Sequence, residues 1–310
     1  MSGNLPIRFL LVAKRRLRDA GDWLVAGIII GLVWLIRLLP TDTAINALAF
    51  AARTLGPWLP AHRVGAKNIA LALPDLSEGE RARILSDAWD SLGRMAAEFV
   101  FVDRVFDYDP ENPNSGRIEA VGAENFIRIR DGGKPCIMFT IHSANWELLG
   151  VCAARFGLDV SVLFRPLNNA ILGRKLDRLR GSMMGSLVES RSGALLALSG
   201  VLGRGGNIGV LVDQRFHRGL SLPFFGHPAK TNPSLGKLAR RFDCDVYGAR
   251  SVRLPGGRIR LELVGPIDLP RDKGGAVDVE QTMRKVNGIV EGWVRENPGQ
   301  WLWMHRRWRP

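Results

Sequence analysis

The chain has few of the residues that build disulfide-linked or metal-bound folds. Its three cysteines, Cys136, Cys152 and Cys244, include no Cys-x-x-Cys pair, and their odd number and wide spacing argue against a disulfide framework. The five histidines show no metal-ligand spacing. We therefore expect a protein of a reducing compartment that requires no metal.

Acidic residues are also in deficit, because 30 of them face 43 basic residues, which gives a formal net charge of +13. Such an excess implies a negatively charged partner: phospholipid, nucleic acid or an acidic protein. Charge alone does not choose among the three. The 310 residues suit one large domain or two small ones, and a hydrophobic content of 46% is ample for a substantial core.

One uncharged apolar run, Trp23 to Ile36, lies near the N-terminus and follows four basic residues, Lys14, Arg15, Arg16 and Arg18. The run is shorter than the roughly 20 residues that a spanning helix needs, so an interfacial or oblique helix is as plausible as a full span. A buried helix of the main domain is the alternative. No small-residue cleavage site follows, which argues against a secretory signal. We expect residues 1–40 to form a basic N-terminus and a membrane-anchoring helix.

Two sequence patterns give conflicting predictions for the side of the membrane on which the main domain lies. Basic residues before the run would hold the N-terminus in the cytoplasm, and a single span would then export the rest of the chain. The rest is itself basic and lacks disulfide signals. We therefore expect a monotopic attachment with the main domain on the cytoplasmic side.

The remaining chain divides into a helical part and an α/β part. Residues 41–110 have helical periodicity, including a capping box at Ser77–Glu80, and a loop rich in Asp, Pro and Asn follows at 107–115. Residues 111–310 then alternate between strand and helix patterns, and two adjacent strands at 245–253 and 258–264 make the sheet mixed at one edge. A long loop is expected after residue 213. The whole predicts one α/β domain with a mixed sheet flanked by helices.

A histidine and a carboxylate five residues apart end the first buried strand of this part: His142 and Glu147, after the apolar run 135–141. On one continuous helix they would point about 140° apart, so His142 must precede the helix that begins near Trp146. Ser143 or Asn145 would cap that helix. An imidazole held by a carboxylate can take a proton from a hydroxyl near neutral pH. A structural histidine near a helix cap is the alternative.

Other residues carry weaker signals. Asp213 ends the apolar strand 209–212, where sites gather in open α/β sheets, so it could hold an arginine, position a substrate or simply cap a loop. Phe224 and Phe225 could line an apolar groove or belong to the core. The aromatic and basic tail 301–309 has the composition of a membrane-interfacial segment and also suits a nucleic-acid surface.

Several ordered blocks resemble the late acyltransferases of lipid A biosynthesis, within the lysophospholipid acyltransferase superfamily. The His142–Glu147 block follows Gly132-Gly133-Lys134-Pro135. Further blocks are Lys67-Asn68-Ile69-Ala70, Phe164-Arg165-Pro166, Val212-Asp213-Gln214, Leu222-Pro223-Phe224-Phe225-Gly226, Ala229-Lys230-Thr231 and Gln300-Trp301-Leu302-Trp303-Met304-His305-Arg306-Arg307. Ala144 stands where many relatives carry glycine. Because the blocks keep their order over most of the chain, the resemblance is specific.

The resemblance implies a glycerolipid-acyltransferase-like fold and transfer of a fatty acyl chain from an acyl carrier protein thioester to a hydroxyl of a lipid A precursor. No cofactor and no acyl-enzyme are implied. His142 would be the general base and Glu147 would orient its ring. Substrate contacts are expected from Arg165, Arg180, Asp213 and Asn145. The implied location is the bacterial inner membrane, on its phospholipid surface.

Two other functions stay open. One is an acyltransferase that uses acyl-coenzyme A and acts on glycerophospholipids or glycolipids. The other is a basic membrane-associated or nucleic-acid-binding protein without enzymatic activity. The blocks at Asp213-Gln214 and at the C-terminus favour the lipid A type, so we expect no nucleic-acid partner.

Overall fold

The computed structural model describes residues 5–113, 115–190 and 193–308, with side chains from residue 19 onward. The basic side chains at 14–18 and Arg309 lie outside the described residues. The helices are α1 Leu5–Ile36, α2 Thr41–Leu55, α3 Pro60–Ala72, α4 Glu78–Val100, α5 Val102–Val105, α6 Ala123–Gly132, α7 Glu147–Arg155, α8 Ala170–Met183, α9 Ala194–Gly203, α10 Ser234–Phe242 and α11 Val279–Glu296.

Within the described residues seven strands form one sheet and two more form a hairpin. The sheet strands are β1 Ile118–Val121, β2 Cys136–Thr140, β3 Val160–Phe164, β4 Leu187–Glu189, β5 Asn207–Leu211, β8 Asp245–Arg253 and β9 Ile259–Val264; the hairpin strands are β6 Leu220–Phe224 and β7 His227–Thr231. The sheet order is β1-β9-β8-β2-β5-β3-β4. Every neighbouring pair is parallel except β8 with β9. The predicted α/β class with a mixed sheet is confirmed.

The central strand β2 is buried on both faces. Ile137 and Phe139 enter one hydrophobic core, while Cys136 and Met138 enter a second core on the other side of the sheet. Alternate side chains of a strand point to opposite faces, so an unbroken apolar run is what a doubly covered strand requires. The loop that follows β2 is therefore held by a rigid support.

The helical subregion begins with a strong local signal and packs closely. Ser77 caps α4 by accepting from the backbone N–H of Glu80, whose carboxylate bonds back to the N–H of Ser77, so the predicted capping box is confirmed. A Cβ on Gly93 would lie 2.5 Å from the carbonyl oxygen of Leu48. Only glycine allows α2 to pass α4 this closely.

Two expectations about the second half are wrong. The stretch after residue 213 is not a long loop, because β6 and β7 form an antiparallel hairpin whose turn at Phe225 and Gly226 has positive φ angles of 51° and 73°. The C-terminal tail is not a surface segment either. Trp301 and Trp303 are 2% and 0% exposed, because their rings pack with Phe224, Phe225 and Trp308 from the hairpin and the tail.

Candidate active site

His142 and Asp213 meet at the carboxyl edge of the sheet. His142 follows β2 and Asp213 follows β5, and these strands are parallel neighbours. The backbone N–H of Val212 continues the pairing by donating to the carbonyl of Thr140 at 3.1 Å. Because the two strands run in the same direction, the residues that follow them lie at the same edge of the sheet, where ligands of open α/β sheets bind.

The Asp213 carboxylate is buried, 2% exposed, and is held by three hydrogen bonds. One oxygen lies 2.8 Å from His142 Nδ1, and the other accepts from the backbone N–H of His142 at 2.9 Å and from the indole N–H of Trp301 at 2.8 Å. Burial alone would raise the pKa of Asp213, but the nearby His142 and these bonds lower the pKa to about 2. Asp213 is therefore an anion at neutral pH.

The anionic partner fixes the tautomer of His142. A carboxylate only accepts hydrogen bonds, so Nδ1 carries the proton and Nε2 presents a lone pair. The side-chain amide nitrogen of the exposed Gln214 lies 3.1 Å from Nε2. The imidazole ring itself is 14% exposed and packs edge-on against Trp146, with 4.9 Å between ring centroids. The ring therefore offers a basic nitrogen at a partly open position.

Contrary to expectation, Glu147 does not bond to the imidazole of His142, whose two ring nitrogens have other partners. Its carboxylate is instead bound in a two-pronged ion pair by Arg180, whose Nε donates to it at 3.1 Å and whose Nη2 makes the second contact. The Arg180 guanidinium lies 5.7 Å from the ring centroid of Phe99. Arg180 thereby joins the first turn of α7 to the last turn of α8, and its expected contact with the substrate stays a prediction.

Asn145 is also corrected, from a substrate contact to an internal support. It is 0% exposed, and its side-chain amide donates to Glu98 at 2.9 Å. Glu98 is 3% exposed and forms a two-pronged ion pair with Arg253 on β8. The loop between β2 and α7 is thus tied to α4 and to the sheet. Sequence spacing alone could not have found Glu98, which lies 47 residues from Asn145.

The C-terminal segment 300–302 forms the other wall of the site. Two backbone hydrogen bonds join it to the loop after β2: the N–H of Ala144 donates to the carbonyl of Gln300 at 2.9 Å, and the N–H of Leu302 donates to the carbonyl of His142 at 3.0 Å. Together they pair Ser143 with Trp301 as an antiparallel bridge. Ala144 has a φ of 50°, in the left-handed region that favours glycine. The Trp301 contact to Asp213 was not foreseen, although Trp301 belongs to a block that carried the resemblance.

Arg165 remains available for a ligand. It follows β3, is exposed, and has no ion-pair or hydrogen-bond partner within the described ranges. Three further cations on α8, Arg174, Lys175 and Arg178, are exposed in the same way. A free guanidinium at the carboxyl edge of the sheet can bind a phosphate with two parallel hydrogen bonds.

Phe224 and Phe225 do not line a groove. They are 1% and 4% exposed and belong to the aromatic core of the hairpin and the tail. The cleft that reaches His142 is narrow and instead has apolar walls from Leu92 and Ala88 on α4 and from Trp146 and Leu302. A larger cleft of about 400 Å³ shares Ser91 and Gln300 with it, but Asp87, Asp90 and Glu296 line that one, which does not suit a hydrocarbon chain.

The cysteines do not take part in the site. All three are buried, and burial raises the pKa of Cys152 to about 12 and that of Cys244 to about 11. No group of three or more metal-ligating side chains occurs in the described part of the chain. The chemistry available is that of an aspartate-held imidazole beside a narrow apolar cleft. Such an arrangement is chemically suited to taking a proton from a hydroxyl.

Comparison with known proteins identifies the reaction class. The model of the bacterial lipid A biosynthesis acyltransferase family matches residues 12–310, so the chain belongs to this family and is an O-acyltransferase. The family predicted from the sequence blocks is confirmed.

Three relatives illustrate how distant the individual members are. The lipid A biosynthesis palmitoleoyltransferase of Escherichia coli (strain K12) is 24% identical over 295 residues, covering 90% of this chain and 89% of the relative. The lipid A biosynthesis lauroyltransferase of the same organism is 22% identical and covers 90% of both chains. A lipid A biosynthesis acyltransferase of Haemophilus influenzae (strain ATCC 51907 / DSM 11121 / KW20 / Rd) is 22% identical and covers 76% of this chain and 72% of its own length.

Proposed function

We propose that this enzyme transfers a fatty acyl chain from an acyl carrier protein thioester to a hydroxyl of a lipid A precursor, with His142 as general base and Asp213 as its orienting acid. The bond between His142 Nδ1 and Asp213, 2.8 Å long, carries the proposal. It places the proton of the neutral ring on Nδ1, so that Nε2 presents its lone pair, and it compensates the positive charge that develops on the ring.

The reaction proceeds in two proton-balanced steps without an acyl-enzyme. His142 Nε2 takes the proton of the acceptor hydroxyl as its oxygen bonds to the thioester carbonyl carbon, which gives a tetrahedral oxyanion. The carbonyl then re-forms, the carbon–sulfur bond breaks, and the imidazolium gives its proton to the departing thiolate. No cofactor is needed besides the thioester cosubstrate.

Backbone amides at the start of α7 are the best candidates to stabilise the oxyanion. The N–H groups of Ser143, Ala144 and Asn145 already bond to protein oxygens. This leaves the N–H groups of Trp146 and Glu147, at the positive end of α7. The ion pair of Glu147 with Arg180 holds that turn in place, which gives Glu147 a positioning role in catalysis.

Gln214 occupies the position that the acceptor hydroxyl must take. Because Nε2 is a lone-pair acceptor here, the amide nitrogen of Gln214 donates to it, as the hydroxyl would. The side chain is exposed, so it can swing away when the acceptor arrives. We propose that it keeps Nε2 hydrogen-bonded between turnovers.

Arg165 is proposed to bind a phosphate of the lipid acceptor or of the carrier's prosthetic arm. Its exposed guanidinium and the neighbouring cations of α8 match an anionic substrate at a phospholipid surface. We place the enzyme at the bacterial inner membrane with its catalytic domain on the cytoplasmic side. Its apolar N-terminal helix, long enough by length and composition to cross a membrane, supports the membrane location.

The test is acyl transfer by the purified full-length chain, followed by mass spectrometry of the lipid product. Acyl carrier protein thioesters and acyl-coenzyme A of matched chain lengths are the donors, and a lipid A precursor and a lysophospholipid are the acceptors. We expect one added acyl group on the lipid A precursor with the carrier-protein donor. Product only from acyl-coenzyme A and lysophospholipid would replace both substrate assignments.

The catalytic assignment has its own variant. His142→Ala should abolish transfer with either donor while the thermal unfolding temperature stays near that of the parent. His227→Gln is the matched control, because His227 lies in the hairpin and contacts the carbonyl of Leu71, whereas His142 contacts Asp213. Full turnover by His142→Ala would refute the general-base mechanism.

A further inference from the structure

The packing of α1 on the rest of the protein follows one stripe along the helix. Asp22, Ile30, Val33 and Arg37 are half-buried and Ala26 is 0% exposed. At about 100° per residue these positions fall within about 80° of the helix circumference. They extend over about 22 Å, from near the start of the apolar run to its end. The helix therefore lies lengthwise against the domain.

Hydrogen bonds fix both ends of this stripe to the same body. At one end Arg37 donates to the carbonyl of Val100 at 2.7 Å and to the carboxylate of Asp103 at 2.8 Å. At the other end the side-chain amide of Asn169 donates to the carbonyl of Asp22 at 2.8 Å. Asn169 is also the N-cap of α8, which packs against α1.

The opposite face of α1 is wholly apolar and exposed. Leu24, Ile28, Leu32 and Leu35 are 67%, 55%, 52% and 55% exposed and point away from the domain. Trp23 and Trp34, each 65% exposed, lie to one side of them. No charged residue occurs from 23 to 36. An exposed apolar face of this kind, on a helix whose other face is packed, is typical of a helix at a membrane interface.

We infer that α1 lies in the plane of the membrane surface, clamped along its length to the catalytic domain, and does not cross the bilayer. A crossing helix would draw the domain surface that it contacts into the hydrocarbon. That surface includes α8, whose exposed Arg174, Lys175 and Arg178 would then face lipid tails at high cost. In the in-plane arrangement the same cations meet anionic phospholipid headgroups.

This arrangement brings the active-site edge to the membrane surface. Arg165 lies four residues before Asn169, the residue that binds α1. The loop 165–169 is thereby held at headgroup level, where a lipid phosphate is found. The inference concerns attachment and does not require the proposed acyl transfer, so each can fail alone.

The decisive experiment asks on which side of the membrane residue 19 lies. Asp19→Cys is tested in the full-length chain, with Asp42→Cys and Lys273→Cys as markers of the domain side; all three positions are exposed. A membrane-impermeant maleimide is applied to spheroplasts and to inverted inner-membrane vesicles. The parent chain is the blank, because its three cysteines are buried. An in-plane helix predicts that all three variants react in the same preparation, whereas reaction of Asp19→Cys alone in the other preparation overturns the inference.

Spin-label depth gives an independent measurement that needs no enzymatic activity. Labels at Leu24→Cys, Ile28→Cys, Leu32→Cys and Leu35→Cys are compared in phosphatidylethanolamine vesicles with and without phosphatidylglycerol. All four should lie within about 5 Å of one depth, and binding should strengthen with the anionic lipid. A crossing helix would separate the first and last labels by about 16 Å along the membrane normal, which would contradict our inference.

A matched substitution tests the hydrogen bond between Asn169 and α1. Asn169→Asp keeps the oxygen that caps α8 but loses the N–H that donates to Asp22. We expect amide hydrogen exchange in α1 to rise severalfold with the α8 amides unchanged. Unchanged exchange in both helices would show that the contact does not hold α1.

Discussion

The two carboxylates at the active-site edge have opposite environments. Asp213 is bound by uncharged donors and by an imidazole that can become charged, whereas Glu147 is neutralised by the permanent charge of Arg180. A carboxylate beside a titrating ring stabilises the charge that appears during reaction. A carboxylate already paired with guanidinium fixes geometry. In the proposed mechanism this difference gives Asp213 the orienting role and gives Glu147 the placement of α7.

Asp213→Asn gives the largest expected effect. The amide keeps the shape of the side chain but loses the charge, so His142 is no longer held in the tautomer with a basic Nε2. We expect kcat to fall roughly 10³- to 10⁴-fold with the fold intact. Asp245→Asn is the control, because Asp245 begins β8 at the opposite edge of the sheet and bonds Lys134. A small loss for Asp213→Asn together with a severe loss for Glu147→Gln would reverse the two assignments.

The second prediction concerns the ion pair of Glu147 and Arg180, whose side chains are 11% and 17% exposed. Glu147→Gln leaves a largely buried guanidinium without its counter-charge, so we expect a loss of about 3 kcal/mol in unfolding free energy and a kcat 10- to 100-fold lower. The double variant Glu147→Gln/Arg180→Met should regain at least half of both losses. Chemical denaturation and acyl transfer are measured on the same samples.

The exposed pair Glu280 and Arg284 on α11 supplies the control for this cycle. Glu280→Gln should change the unfolding free energy by less than about 0.5 kcal/mol. If the double variant regains stability but not activity, Glu147 acts directly on the imidazole or the substrate. That result would contradict a purely positioning role.

The sequence predicted the elements that local patterns encode and missed those that depend on strand order. The buried strand before His142, the helix after it and the adjacent strands β8 and β9 follow from apolar periodicity, although β1 adds a parallel strand outside β9, so this antiparallel pair does not form the edge that was expected. The pair of His142 with Asp213 joins residues 71 positions apart. It exists because β5 lies beside β2, and no local period specifies that neighbour. Glu147 was favoured because it is near in sequence, yet a helix start directs it toward α8.

The tail shows a second limit of sequence patterns. A segment rich in aromatic and basic residues can lie at a membrane interface, or it can be buried in a core where the basic side chains bond to other protein groups. Arg307 is 1% exposed, donates to Thr231 and to the carbonyl of Lys230, and lies 5.0 Å from the ring centroid of Phe224. Its burial depends on contact with the hairpin of β6 and β7, which the composition of the tail does not specify.

Trp301→Phe tests the role of Asp213 with a smaller expected effect, because it removes one of the hydrogen-bond donors to the Asp213 carboxylate. A hydrogen bond to a charged group is worth about 1.5 kcal/mol at the low end of its range, so we expect kcat/KM to fall about tenfold. Trp303→Phe is a close control: its indole N–H is also buried but donates to the carbonyl of Pro298 at 2.7 Å. Both variants should lower the unfolding temperature. Equal losses of activity would mean that the aromatic core, and not the bond to Asp213, matters.

The smallest expected effect concerns His305. It is a change of folding stability with pH, and its direction can be measured. His305 accepts the backbone N–H of Arg215, beside the catalytic edge, and burial lowers the pKa of His305 from 6.5 to about 4. Between these pH values the unfolded chain binds a proton that the folded chain does not, so folding stability falls as pH drops from 6.5 to 4 and this contribution is constant below. His305→Gln keeps an acceptor but cannot titrate. Its unfolding free energy should therefore fall less steeply over that range than that of the parent, and identical slopes in urea titrations at several pH values would contradict a neutral, buried His305.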